Sequence, residues 1–409
     1  MHFGAFMEFG SRTGVSEAQA FQEGFRMVDA AEEMGLDGVW LAELHFNPAR
    51  SVLSSPIVVA TSIATRTKRL RIGMAVYVLP LSNPLRIAEE VATVDHISEG
   101  RFEFGIGRSG FARSYDVFSI PYIESQERFA ESLKIILQAW EGKEFSYHGK
   151  HYNVESAIIS PVPYQKPHPP LWVACSNIKT IGQAGEWGMG ALGFTFVSPD
   201  AATAWVNKYY NNLLHRPNRL TEHPINPNIA MVSGFMCAET DEEAYEKASG
   251  WTFFIFALSY YGRKGVDAPG KGNLWEEFQD WRHSDKAQDA FKGALIGSPA
   301  TIREKLHQFQ EAHVDQVILL NQAGKTSHED ICGSLKMFAE EVMPEFHALE
   351  GEHATWKDNV LSGRLTLEDL ETKVYDIFSH QNADIVRLTP EELKARMAAK
   401  DAAQMAASD

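Results

Sequence analysis

The amino-acid sequence predicts an α/β fold: a (β/α)8 TIM barrel with insertions and a helical C-terminal extension. Short apolar runs alternate along the chain with longer amphipathic stretches, the pattern of parallel strands joined by helices. The alternation repeats eight times within roughly 350 residues, which fits a closed barrel better than an open doubly wound sheet. The chain has 409 residues and is 44% hydrophobic, which is enough to bury one large core.

Four strand and helix pairs are predicted in the first third of the chain. In the helix over 17–35, Phe21, Phe25 and Val28 recur at spacings of three and four, and Gly35 ends the helix. The same reasoning predicts strands over 2–9, 36–44, 70–78 and 101–107, and helices over 17–35, 54–66, 84–98 and 124–141.

Two insertions interrupt the second half of the barrel. A hairpin is expected within 145–170, and the irregular segment 261–296 is long enough to predict a functional loop. The barrel domain is assigned to 1–349, and the charged, alanine-rich stretch 350–409 to a helical extension. The predicted strands here are 171–175, 190–196, 228–238 and 315–320, and the predicted helices are 177–187, 199–215, 241–260, 299–312 and 327–347.

Composition limits the partners of the chain. With 38 Lys and Arg against 54 Asp and Glu, the formal net charge of −16 disfavours nucleic acid and anionic membranes. The N-terminus lacks a signal-peptide pattern, and no apolar run has the length of a membrane span. The three cysteines show no C-x-x-C spacing, which predicts neither disulfides nor a zinc site. A cytoplasmic protein is therefore expected.

Two further motifs are not interpreted as sites. The run GIGRSG at 105–110 matches the dinucleotide fingerprint, but no immediate helix follows to hold a pyrophosphate. His148 and His151 lie in the expected hairpin without nearby acidic or thiol ligands, so no metal site is predicted.

Polar residues at the predicted strand ends are the best candidates for a site, because barrel active sites form at the carboxyl ends of strands. Ser176, Asn177 and Thr180 open the helix after the fifth strand, where free N–H groups favour an anion, and Arg108 follows the fourth strand. These residues describe a phosphate pocket. The alternative is that Ser176 or Asn177 is only a helix cap and Arg108 only a surface ion pair.

Several blocks along residues 1–349 resemble the luciferase-like flavin monooxygenases. They are MHFGAFMEF, GLDGVWLAELHF, IGMAVYVLPLSNPLR, SEGRFEFGIGRSG, PPLWVACSN, IGSPATIREKL and SLKMFAEEVMP, in the order of that family. The resemblance implies that FMN lies across the barrel mouth, with its isoalloxazine near Ala75 and Val76, where the family often has a cis peptide. It also makes 261–296 a mobile lid. The implied phosphate ligands are Ser176, Asn177, Thr180 and Arg108.

The resemblance also implies the chemistry. Reduced FMN, supplied by a partner flavin reductase, would react with O2 to a C4a-(hydro)peroxide that hydroxylates a small organic substrate or oxidises it in Baeyer–Villiger fashion. Glu43 and His45 would face the reactive edge, with His45 as acid or base. The chain departs from the family at Leu44, which replaces the first of two histidines common there. The base assigned to that position in luciferase is therefore missing, which argues against light emission and against an aldehyde substrate. A deazaflavin (F420) oxidoreductase and a weakly catalytic flavin-binding subunit remain alternatives.

A homodimer is expected from the resemblance, because relatives commonly pair through the helices after strands two and three. In this chain those helices are predicted over 54–66 and 84–98. They carry apolar residues that were candidates for the interface: Ile57, Val58, Ile63, Ile87 and Val91.

Overall fold

The structure is a computed structural model, and it describes residues 1–12, 14–48, 50–193, 201–215, 223–250, 252–253, 255–256, 274–285, 287, 293–322, 324 and 326–370. The strands are β1 (His2–Met7), β2 (Gly38–Leu41), β3 (Arg71–Met74), β4 (Tyr77–Val78), β5 (Phe102–Gly107), β6 (Phe145–His148), β7 (Asn153–Ala157), β8 (Leu171–Cys175), β9 (Gly190–Gly193), β10 (Ile229–Cys237), β11 (Leu295–Gly297) and β12 (Gln316–Gln322).

The described helices surround these strands. They are α1 (Glu17–Met34), α2 (Pro56–Arg66), α3 (Pro84–Ile97), α4 (Ala112–Val117), α5 (Ser125–Trp140), α6 (Ile178–Trp187), α7 (Ala202–His215), α8 (Asp241–Lys247), α9 (Leu274–Trp281), α10 (Pro299–Glu311), α11 (His328–Glu341), α12 (Met343–Ala348) and α13 (Glu350–Leu361). None of these described helices is both long and apolar enough to cross a membrane.

The strands close into the predicted barrel. The parallel order runs β1, β2, β3 with β4, β5, β8, β9, β10 and β12, and β12 pairs with β1 to complete the ring. All eight predicted barrel strands are therefore confirmed as far as they are described, and residues 194–196 of the predicted strand 190–196 lie outside the described residues. The predicted helix over 327–347 is divided into α11 and α12 at Val342, two residues before Pro344, which cannot donate a backbone hydrogen bond.

Two tryptophans fill the interior of the barrel. The rings of Trp40 and Trp172 meet edge to face with centroids 5.2 Å apart. Glycines on neighbouring strands make room for them: a Cβ at Gly73 would lie 2.3 Å from the Trp40 ring, and one at Gly190 would lie 2.4 Å from the Trp172 ring. The centre of the barrel is consequently packed, and space for a ligand is left to the strand ends.

The two predicted insertions differ in how much of them is described. Within 145–170, β6 and β7 form the expected antiparallel hairpin. About half of the predicted lid, 261–296, lies outside the described residues. Its described half is partly regular, because it includes α9 and the beginning of β11, which pairs in parallel with the end of β10.

The predicted C-terminal extension packs tightly against the amino-terminal end of the barrel as far as residue 370. The buried carboxylate of Asp315 accepts hydrogen bonds from His353 at 2.6 Å and from Tyr210 at 2.8 Å, and Lys357 lies 2.5 Å away. Burial opposes ionisation of Asp315, yet Lys357 and His353 hold its pKa below the usual value. Helix α13 is thus joined to the barrel by buried charges.

Acidification is expected to weaken this contact through His313, whose ring stacks on Trp356 at 4.0 Å. Burial, and then the nearby His353, lower the pKa of His313 to about 4. The unfolded chain, with a histidine pKa of about 6.5, binds the proton more readily. The stability contributed by neutral His313 is therefore present above about pH 6.5 and is lost as the pH falls towards 4.

Melting temperatures measured between about pH 7 and pH 4 check this. Asparagine tolerates the left-handed backbone of His313, whose φ is 60°, so His313→Asn removes the titration at little backbone cost. The variant should lose less stability on acidification than the wild type. His148→Asn, at an exposed hairpin position, should follow the wild type. Parallel curves for all three proteins would contradict the role of His313.

The proposed dimer residues need a correction. Ile57, Ile63, Ile87 and Val91 are buried in the chain's own core, with at most 7% exposure, because α2 and α3 turn these side chains towards the barrel. They cannot form an interface. Val58, at 63% exposure, is the one residue of that group on the surface. The homodimer stays a prediction, but the apolar helix residues proposed for its interface no longer support it.

Candidate active site at the carboxyl end of the barrel

Three neighbouring strand ends bring most of the predicted site residues together. β4 pairs with β5 at Val78 and Gly107, and β5 pairs with β8 at Ile106 and Val173. A Cβ on Gly107 would lie 2.5 Å from Val76 and 3.5 Å from Ala174, so the ends of β5 and β8 and the segment before β4 are in close contact here. Ala75 and Val76, which are predicted to lie near the isoalloxazine, are therefore adjacent to Arg108 and to the start of α6.

The peptide between Ala75 and Val76 is cis, as the resemblance implied. It lies between β3 and β4, where the backbone comes close to β5: a Cβ on Gly105 would be 1.8 Å from the carbonyl oxygen of Met74. Glycine is required there because any side chain would collide with that backbone. Ala75 is buried and Val76 partly buried. Together they form a small apolar surface at the barrel mouth.

Glu43 and His45 form a hydrogen-bonded pair next to this surface. One carboxylate oxygen of Glu43 lies 2.8 Å from Nε2 of His45, and the other accepts from the backbone N–H of Val78 at 2.9 Å. An ionised carboxylate only accepts hydrogen bonds, so Nε2 of His45 carries the proton and Nδ1 is the acceptor in the neutral ring. The pair has the chemistry of an oriented acid or base.

Leu44 and His45 face different surroundings. Leu44 packs against the interior cluster that includes Phe6, Trp40 and Ala75. The His45 ring instead meets the ring of Phe118 edge to face at 5.1 Å and lies 5.8 Å from that of Phe46. The position of the missing histidine is consequently apolar and points to the inner cluster, while the remaining histidine lies towards the rim.

The start of α6 carries a capping box that uses two of the predicted phosphate ligands. The Asn177 side chain accepts from the N–H of Thr180 at 3.0 Å, and the Thr180 hydroxyl accepts from the N–H groups of Ser176 and Asn177 at 3.0 and 3.1 Å. The cap alternative therefore holds for Asn177, and Thr180 shares that role. The groups left for an anion are the exposed Ser176 hydroxyl and the first N–H groups of the helix.

Lys179 is a candidate that the sequence interpretation missed. It is exposed at the second position of α6, where the helix dipole disfavours a cation unless an anion is bound nearby. The sequence already placed this lysine in the first turn of the predicted helix over 177–187, which could have identified it.

Arg108 is exposed beside this helix start and donates to the hydroxyl of Ser125 at 3.2 Å. Among the described residues, no carboxylate lies within salt-bridge distance of it, so the surface ion pair considered above is not found there. In a chain with a net charge of −16, such a cation next to a helix N-terminus suits an anionic ligand.

The hairpin histidines need one correction. His151 is only 5% exposed and lies 3.4 Å from Glu124 and 2.9 Å from Glu127, so acidic neighbours are present after all. The sequence could not show this because the carboxylates lie at the start of α5, on Glu127 and on the preceding Glu124, more than twenty residues away. Even so, no group of three ligands suitable for a metal ion occurs in the described part of the chain.

Comparison with known proteins gives a consistent result. The model of the luciferase-like monooxygenase family matches residues 1–316. The oxygenase component of the flavin-dependent trigonelline monooxygenase of Acinetobacter baylyi is 23% identical, over 83% of this chain and 94% of that protein. The alkanal monooxygenase alpha chain of the Kryptophanaron alfredi symbiont is 24% identical, over 84% of this chain and 98% of that protein. Protein y4wF of Sinorhizobium fredii is 36% identical, but this chain spans only 51% of its length.

Solved structures show the same fold. The oxygenating constituent of 3,6-diketocamphane monooxygenase from Pseudomonas putida, a type II Baeyer–Villiger monooxygenase in complex with FMN, superposes with a TM-score of 0.70 at 20% identity, covering 84% of this chain and 99% of that one. The coenzyme F420-dependent tetrahydromethanopterin reductase from Methanopyrus kandleri superposes with a TM-score of 0.65 at 20% identity, covering 84% of this chain and 99% of that one.

Proposed function

Because the chain belongs to the luciferase-like monooxygenase family, we propose that it is the FMN-dependent oxygenase component of a two-component monooxygenase. It receives reduced FMN from a flavin reductase in the cytoplasm and inserts one atom of O2 into a small organic substrate. The observation that carries this proposal is the position of Arg108 beside the start of α6, one strand away from the apolar peptide at Ala75 and Val76. Within the described residues, Arg108 donates to the Ser125 hydroxyl and has no carboxylate within salt-bridge distance. That spacing suits a ligand with one phosphate and one flat ring.

The residues present fit FMN. Arg108, Ser176 and the first N–H groups of α6 would hold the phosphate, with Asn177 and Thr180 shaping the helix start. Ala75 and Val76 would support the ring. Bound in its reduced form, FMN supplies the electrons that activate O2.

The chain's own acid–base group in this proposal is His45. Glu43 keeps the proton on Nε2, which leaves Nδ1 to take up or return a proton during oxygen transfer. Leu44 adds apolar surface to the inner cluster and helps to exclude water there.

Leu44 favours a second candidate, a weakly catalytic flavin-binding subunit, because leucine cannot exchange a proton. An assay of NADH and O2 consumption with a flavin reductase, using long-chain alkanals and cyclic ketones, separates the two. Oxygenated product from either class supports the oxygenase. Flavin binding without any oxygenated product supports the passive subunit.

The cofactor assignment is tested by Arg108→Ala. Loss of a charge-assisted contact should weaken FMN binding about ten- to a hundredfold, measured by anaerobic titration. Arg86→Ala, at an exposed position on α3, is the control and should bind as the wild type does. Unchanged FMN affinity in Arg108→Ala would refute the phosphate site. Tight binding of F420 but not of FMN would shift the assignment to a deazaflavin enzyme.

A further inference from the structure

A small buried hydroxyl network holds Arg108 from the protein side. Nη1 of Arg108 donates to the hydroxyl of Ser125, which is 2% exposed at the first residue of α5. The hydroxyl of the fully buried Tyr115 donates to the backbone carbonyl of Arg108. Two buried hydroxyls therefore hold the same arginine, one at the guanidinium and one at the backbone carbonyl.

This network orients the guanidinium without neutralising it. Glu124 precedes Ser125 directly, but its carboxylate pairs with Arg128 at 2.8 Å and with His151 at 3.4 Å. Arg108 meets the neutral hydroxyl instead, and a guanidinium has further N–H groups left for a bidentate contact. Burial, and then Tyr122, raise the pKa of Tyr115, so its phenol stays a hydrogen-bond donor at neutral pH.

The path of the backbone also belongs to this arrangement. Ser109 has a positive φ of 58°, and its hydroxyl accepts from the N–H of Phe111 at 3.1 Å. The chain therefore turns sharply directly after Arg108. The bond from Tyr115 holds the carbonyl at the start of that turn, while Ser125 holds the far end of the side chain.

We propose that Ser125 and Tyr115 are positioning residues for phosphate recognition: they hold Arg108 towards the anion site and contribute to FMN affinity only through it. This inference rests on the proposed function. It adds residues whose role no strand-end motif indicates, because both lie beyond the end of β5, Tyr115 in α4 and Ser125 at the first residue of α5.

The test compares FMN with riboflavin, which has the same ring and no phosphate. Anaerobic calorimetric titrations of both reduced flavins are made with the full chain and its variants. Ser125→Ala and Tyr115→Phe should each weaken FMN binding about three- to tenfold, the usual net size of one hydrogen bond. Riboflavin binding should not change. In the Arg108→Ala background, neither substitution should weaken FMN further.

Two matched variants control for general damage to the fold. Ser132→Ala removes another buried hydroxyl of α5, one that makes no hydrogen bond in the described part of the chain. Tyr122→Phe removes the hydroxyl of the ring that packs on Tyr115 at 5.0 Å but leaves both hydrogen bonds to Arg108 intact. Both should keep the ratio of FMN to riboflavin affinity found in the wild type.

The outcomes separate this inference from the proposed function. If Arg108→Ala leaves FMN binding unchanged, the phosphate site itself fails. If Arg108→Ala weakens FMN but Ser125→Ala and Tyr115→Phe bind FMN as the wild type does, the positioning role is overturned. It is also overturned if they weaken riboflavin equally, or if their effects add in full to that of Arg108→Ala.

Discussion

His45→Ala should reduce substrate oxygenation by a factor of about 10²–10⁴, the usual cost of losing a general acid or base. The reason is structural: Glu43 orients the His45 ring at 2.8 Å, and the neighbouring Leu44 cannot exchange a proton in its place. FMN binding should change little, because His45 is not among the groups assigned to the phosphate. The measurement is product yield with the alkanal or cyclic ketone that gives coupled turnover in the wild type.

Hydrogen peroxide release provides a second readout of the same variant. O2 consumption by reduced flavin should continue in His45→Ala, with peroxide replacing oxygenated product. His96→Ala is a control, because His96 lies on α3, where its Nε2 is 2.9 Å from the carbonyl of Val162 and its ring meets that of Tyr164 at 5.6 Å. Full product yield with unchanged peroxide release in His45→Ala would show that His45 only packs at the strand end.

The Arg50→Ala variant should be less stable than the wild type by about 3–5 kcal/mol, because it leaves the carboxylate of Glu8 buried without its cation. Arg50 and Glu8 are 4% and 1% exposed and form a bidentate pair, with Nε of Arg50 3.1 Å from one Glu8 oxygen. This ion pair joins the loop after β2, which contains His45 and Arg50, to the residue that follows β1. In the same loop, the Ser51 hydroxyl donates to the Glu8 carbonyl at 2.6 Å, and Leu44 N–H donates to Leu53 at 3.1 Å.

Urea unfolding measures this cost, and two further variants make it interpretable. Arg66→Ala breaks an exposed bidentate pair with Asp29 and should cost at most about 1 kcal/mol. The double variant Glu8→Leu with Arg50→Met removes both charges, so it should recover most of the lost stability. An Arg50→Ala variant as stable as Arg66→Ala would show that the buried pair contributes little.

Local sequence patterns were sufficient for the eight barrel units, but not for α9 and β11 or for the end of α8 at Lys247, well before the predicted residue 260. The spacing of Phe21, Phe25 and Val28 predicted α1, and Gly35 ends that helix in the left-handed conformation that favours glycine. The cap at the start of α6 was also open to prediction, because Asn177 and Thr180 are three residues apart. Such features depend on neighbours in the chain, and their geometry follows from the backbone of one turn.

The candidate site was predicted in part. The order of strands in a barrel brings successive strand ends together, which is why Glu43, Ala75, Arg108 and Ser176 could be grouped before their distances were known. Ser125 and Tyr115 could not be found in this way. They lie seventeen and seven residues after Arg108, and no periodic rule relates a side chain to a residue on a later helix.

Short-range spacing in the chain was enough to predict the eight strand and helix units, the apolar stripe of each helix and the family pattern at the strand ends. Which surface covers each stripe, and which charges meet, depended on the tertiary structure. It turned Ile63 and Val91 into the core, paired Glu8 with Arg50 across 42 positions, and joined Asp315 to His353 across 38. Apolar periodicity identifies the buried face of a helix but not the element that packs against it. A charged residue likewise does not indicate which distant residue will neutralise it.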